Sequence, residues 1–144
     1  MLDNKAVFGA GVAIDAHNNV YWSFESTDGK GHVDEFVKGK GRPIDTGLVL
    51  PGASYGLAFD MRNRMIVGEG TQLVIVTLPH TIVRSFAQGT SPYGFALNDL
   101  HRIFIADRGS AQRIDKFSYP EGVLLDTIVS PNFIPWGVAV YPRP

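Results

Sequence analysis

The 144-residue chain contains no cysteine. That rules out disulfides, thiolate metal centres and cysteine nucleophiles together. It also lacks any apolar run near the roughly 18 residues that span a bilayer. Its opening, MLDNKAVFGA, has neither the basic start nor the long apolar stretch of a signal peptide. The expectation is a protein kept in the cytoplasm or a chain that opens inside a longer one, and the compartment is left open. Charge is scarce as well: charged residues are 19% and the formal net charge is -1. Such a balance carries no electrostatic footprint for nucleic acid or an anionic membrane. Lys38, Lys40 and Arg42 form a small basic spot that reads as a solvated loop. No Asn-x-Ser/Thr glycosylation sequence occurs.

Helical periodicity is missing too. The apolar runs are short, rich in Val, Ile, Phe and Tyr, and bounded by Gly, Pro, Asn and Asp, which is the signature of strands. Hydrophobic residues make up 44%, enough for a packed core. The 16 glycines and 9 prolines are scattered as turn punctuation, not gathered into low-complexity tracts. These features predict an all-β chain.

A repeat organises it. Four segments open with Gly, an apolar residue and a small or apolar pair: Gly11-Val-Ala-Ile-Asp15, Gly56-Leu-Ala-Phe-Asp60, Gly94-Phe-Ala-Leu-Asn98 and Gly137-Val-Ala-Val-Tyr141. Their glycines stand 45, 38 and 43 residues apart, near the period of four-stranded propeller blades. After each of the first three come a polar turn, a second apolar strand from Val20, Met65 or Ile103, and a third from His32, Leu73 or Arg113. Fourth strands are expected near Gly47–Leu50, Ile82–Phe86 and Leu124–Val129. Blades are thus predicted over residues 11–50, 56–88 and 94–130, with an extra inner strand at 137–141. The first strands are apolar on both faces, as suits an innermost strand between neighbouring blades.

The segment Pro92-Tyr-Gly-Phe-Ala-Leu-Asn98, followed by Ile103-Phe-Ile-Ala-Asp107, Arg113-Ile114 and Phe117, resembles an NHL repeat. The second repeat matches in part, with Gly68-Glu69 in place of Ala-Asp and Leu73-Val74 in place of Arg-Ile. The first lacks the leading Pro, and the fourth keeps only Pro135-Trp-Gly-Val-Ala-Val140. This resemblance implies β-propeller blades of four antiparallel strands and says little about activity. Propeller rings have about four to eight blades. Three blades and one strand therefore imply half of a six-bladed ring, closed by a second copy in a homodimer or by the rest of a longer chain.

Aligning the repeats places an aromatic residue just before three of the four glycines: Tyr55, Tyr93 and Trp136, with Ala10 in the first. In NHL-like propellers that loop lies near the channel mouth, so the resemblance implies an aromatic ring there, fit to hold a protein, peptide or small-molecule ligand. The alternative is that each ring covers the edge of a neighbouring blade. Acids end the second strands: Glu25, Glu69 and Asp107, with Arg108 beside the last. Glu69, Asp107 and Arg108 are read as polar orienting groups for the ligand. Convergent acids also raise a calcium site of the gluconolactonase-like kind, but Glu25 is offset by one residue and no Asn–Asp ligand pattern accompanies them. In NHL repeats the acid at this corner commonly serves the turn.

The four histidines, His17, His32, His80 and His101, are dispersed and give no zinc set like that of the amidating lyases, which also resemble NHL propellers. Ser54 in Gly52-Ala-Ser-Tyr-Gly56 has the Gly-x-Ser-x-Gly spacing of a nucleophile elbow. A strand follows it where the elbow needs a helix. Gly39-Lys-Gly41-Arg-Pro43 likewise leads into a strand, so no helix N-terminus is there to hold phosphate. The expected function is a non-enzymatic binding or scaffold module without metal or cofactor. The alternatives are a metal-dependent lactonase- or lyase-like propeller enzyme and a propeller fragment with no activity of its own.

Overall fold

The computed structural model describes residues 5–77, 80–130 and 132–140. Twelve strands form three separate four-stranded antiparallel sheets, each a meander in chain order. The first sheet comprises β1 (Ala6–Ile14), β2 (Val20–Ser26), β3 (Gly31–Phe36) and β4 (Ile44–Leu50). The second comprises β5 (Ser54–Phe59), β6 (Met65–Glu69), β7 (Gln72–Thr77) and β8 (Thr81–Phe86). The third comprises β9 (Pro92–Asn98), β10 (Arg102–Asp107), β11 (Arg113–Ser118) and β12 (Leu124–Ile128). These are three propeller-like blades, and no α-helix occurs among the described residues.

Each first hairpin is set by the residue four places after the repeat glycine. Asp15 Oδ1 accepts hydrogen bonds from the N–H groups of His17 and Asn19, both at 2.8 Å. Asp60 does the same for Arg62 (2.9 Å) and Arg64 (2.8 Å), and Asn98 for Leu100 (3.1 Å) and Arg102 (3.0 Å). The third residue of each turn, Asn18, Asn63 or His101, takes a left-handed conformation. Asn tolerates that conformation better than most side chains.

Two apolar clusters fill the gaps between blades. Tyr21, Val33, Leu48 and Leu50 of the first blade meet Met65, Val67, Val74 and Val76 of the second. Ile66, Leu73, Ile75 and Phe86 of the second meet Ile103, Ile105 and Phe117 of the third. The middle blade is therefore covered on both faces, and all of β6 is buried. Its residues alternate between the two clusters with the two-residue period of a strand. Each buried side chain of this size contributes about 1.5–3 kcal/mol relative to exposure.

Small residues set the spacing of the inner strands. A Cβ on Gly11 would stand 2.6 Å from Leu57 N and 2.9 Å from Tyr55 O of the second blade. Gly56 meets Tyr93 O and the Phe95 ring of the third blade. Gly94 in turn meets Trp136 O and the Gly137 Cα. Trp136 and Gly137 thus lie on the third blade as the next blade's first strand would, although residues 132–140 pair with no strand. Residues 137–140 of the expected inner strand form no ladder among the described residues, and Tyr141 lies outside them.

Strand limits differ from expectation most in two places. β1 begins at Ala6, five residues early, and pairs with β2 through two register shifts. β4 begins at Ile44, and Gly47, expected near its start, has φ of 73° inside it. A register shift in the β3–β4 ladder falls between His32 and Asp34, so the glycine serves an irregularity within the strand and not its end.

Candidate ligand-binding site

Tyr55 and Tyr93 lie second in β5 and β9, Trp136 lies in the terminal segment before Gly137, and the three side chains come side by side. The Tyr55 and Tyr93 rings stack with centroids 4.5 Å apart and an interplanar angle of 22°. Tyr93 and Trp136 meet edge to face at 6.1 Å and 85°. Arg108, from the loop after β10, lies over both: its Cζ is 3.3 Å from the Trp136 centroid and 4.7 Å from that of Tyr93. Trp136 is still 65% exposed. Burial, the neighbouring Tyr93 and the Glu25 carboxylate together push the Tyr55 hydroxyl above its ordinary pKa.

The two acids of the predicted set are placed differently. Glu69 Oε1 accepts the Gly52 N–H at 3.0 Å, and Oε2 accepts from the Gln72 amide. Asp107 Oδ1 accepts the N–H groups of Ser91 (2.8 Å) and Gly109 (3.0 Å). Both carboxylates are buried and pin the loop that enters their own blade. In the first blade Phe24 stands at the matching distance from its turn acid, and Glu25 is displaced by one. The arrangement that faces outward is therefore three aromatic rings with a guanidinium across them. A flat apolar platform with a donor fork suits a sugar ring, a peptide group or a planar heterocycle.

Other sequence candidates stay apart. Among the described residues no group of three or more His, Asp or Glu is placed to hold a metal ion. Ser54 is fully buried at the start of β5, and its hydroxyl has no partner. The strand that follows it carries no helix for an elbow.

A second polar arrangement, which the sequence reading missed, sits at the far end of the inner strands. The Tyr119 hydroxyl donates to Asp60 Oδ2 at 2.7 Å, and Arg64 Nε donates to the same oxygen at 2.7 Å. Burial alone would raise the Asp60 pKa, but hydrogen bonds from the Arg64 backbone, Tyr119 and the Arg64 side chain more than offset it, holding the carboxyl below its usual range. Burial and the Asp60 hydrogen bond push the Tyr119 hydroxyl up. Tyr119 is 59 residues from Asp60, so no local motif announces the pair.

No family model matches this chain, and no curated protein matches it. Solved structures do. Hydrazine synthase of Kuenenia stuttgartiensis aligns with a TM-score of 0.71 at 11% identity, over 95% of this chain and 40% of that one. A functionally unknown protein from Desulfotomaculum acetoxidans aligns with a TM-score of 0.70 at 13% identity, over 99% of this chain and 49% of that one. The chain spans less than half the length of either structure. At such identities the likeness establishes architecture alone: the chain has a β-propeller-like fold.

Proposed function

We propose that the chain is a non-enzymatic binding module of the NHL-repeat kind, holding a ligand on the Tyr55–Tyr93–Trp136 row under Arg108. The observation that carries this reading is the continuity of the row: separate blades supply rings that touch, with a cation whose hydrogen-bond donors make no bond within the described residues. Glu69 and Asp107 support the platform from beneath by fixing the loops that carry it, and Arg108 supplies the polar contact. The test is an array of oligosaccharides and peptides screened against the native chain and against Tyr55→Ala/Tyr93→Ala/Trp136→Ala together. Any binder found should lose at least about a hundredfold in affinity, since each lost ring is worth on the order of a kcal/mol or more. Far-UV circular dichroism should be unchanged. Undiminished binding by the folded triple variant would place the site elsewhere.

The flanks favour ring closure with a second copy as part of the same reading. Leu57 and Phe59 of the second blade pack on the cluster shared with the first, and Phe95 and Leu97 of the third pack on the cluster shared with the second. Val12 and Ile14 hold the same places in the first blade and are 64% and 62% exposed. On the opposite flank, Val138 and Val140 of the terminal segment are half-buried in the corresponding positions. In a six-bladed ring the partner's first strand takes that place and the terminal segment moves aside. Trp136 then leaves the row, so it contributes in the unpaired chain alone, and in the ring the ligand contacts are those of Tyr55, Tyr93 and Arg108.

A further inference from the structure

A cavity of about 530 Å³ opens between the second and third blades, at the end of β5 and β9 opposite the aromatic row. Its size falls within the range of small-molecule sites. Between the first and second blades the equivalent place is latched, because the Ala16 N–H donates to Asn63 Oδ1 at 2.8 Å. His101 occupies the position of Asn63 in the next turn, with the same left-handed backbone, but makes no such bond to the neighbouring turn. The turns at Met61 and His101 consequently stand apart and the cavity lies between them.

Its inner wall is apolar, from Phe59, Leu97 and the Tyr119 ring. Its charges are unequal in what remains to them. Asp60 is spent: it accepts from the Arg62 and Arg64 N–H groups, from Arg64 Nε and from the Tyr119 hydroxyl. Arg64 is held rigidly, with Nε on Asp60, Nη2 3.3 Å from the Tyr119 oxygen and Cζ 5.6 Å from the Tyr119 ring centroid. The Arg62 side chain has no hydrogen-bond or ion-pair partner among the described residues. Asp99, on the exposed rim, is the one lining carboxylate not already engaged. Arg64 is paired with Asp60 and keeps only its Nη donors, so the one unpaired guanidinium of the cavity among the described residues is Arg62, set against the exposed Asp99 beside an apolar wall.

We infer that this cavity binds a small organic anion, an apolar ring or chain seated against Phe59, Leu97 and Tyr119 with its anionic head at Arg62 and Arg64. Guanidinium recognises such a head by paired N–H donors, and the apolar body supplies burial. This site is independent of the aromatic row and survives its failure.

The probe is 2-naphthoate, titrated into the full chain by heteronuclear NMR beside the isosteric 2-naphthamide and the cationic 2-naphthylmethylamine. The naphthoate should saturate below about 1 mM and bind at least about tenfold tighter than either analogue. Its shift changes should centre on Leu97, Arg64 and Tyr119, leaving Tyr55 and Trp136 unmoved. Arg62→Gln, which changes an exposed side chain and keeps the backbone N–H that Asp60 accepts, should weaken naphthoate about fivefold or more and leave naphthamide unaltered. Equal affinity for the three probes, shifts confined to the aromatic row or the first-blade flank, or no saturation at about 10 mM would each overturn the assignment.

Discussion

Asp60 is the residue on which most of the local structure depends. It closes one turn, holds Arg64 and reaches the third blade through Tyr119. Asp60→Ala leaves buried donors without an acceptor and should cost about 2–4 kcal/mol in urea unfolding. The pH dependence has a definite sign. Asp15 and Asp60 have pKa values below those of ordinary carboxyls, so their contribution is complete above about pH 4. It disappears as the pH falls through the lower folded values. A stability profile between about pH 2 and 6 should therefore be shallower for Asp60→Asn than for the native chain. An equally steep profile would remove Asp60 from the account. The turn role of Asp15, Asp60 and Asn98 was legible in the sequence from their constant distance to the repeat glycine. The reach of Asp60 to Tyr119 was not, because only packing of two blades brings those residues together.

Among the elements, the inner strands carry the organisation, and their glycines permit blade contact. A methyl on Gly11 would meet backbone of the second blade at 2.6 Å, whereas one on Gly137 would meet nothing within 4 Å. Gly11→Ala should therefore destabilise by about 1–3 kcal/mol, and Gly137→Ala should leave the thermal midpoint within about a degree. Equal effects would mean that blade spacing is set elsewhere. The repeat spacing gave away these strands because Gly-apolar-Ala-apolar recurs intact in all four segments. The outer strands were harder to place, since β4 carries an irregularity at Gly47 and β12 exposes Leu124, Leu125 and Ile128. The aromatic row was visible as one ring per repeat, but its touching geometry and the position of Arg108 across it depend on blade twist. The acids were visible too, yet their commitment to Gly52 and Ser91 was not, since those amides belong to loops 16 or 17 residues earlier in the chain.

At the scale of the molecule, three blades make an arc with one flank capped and one open. The terminal segment sets Val138 and Val140 on the third blade, while Val12 and Ile14 of the first blade lie exposed. On the proposed reading a second copy covers these exposed residues through the same blade-to-blade contact. Ile14→Lys, on a face whose counterparts Phe59 and Leu97 pack against core, should therefore keep the chain folded but abolish self-association in sedimentation velocity. Retained association would move the interface elsewhere. The most direct measurement is the mass in solution, by light scattering during size-exclusion chromatography, of the full chain and of a version ending at Ser130. Ring closure predicts about twice the 15.7 kDa chain mass, with the shortened chain dimerising at lower concentration because the partner's first strand no longer competes with residues 136–140. Monomers at both lengths would contradict the ring.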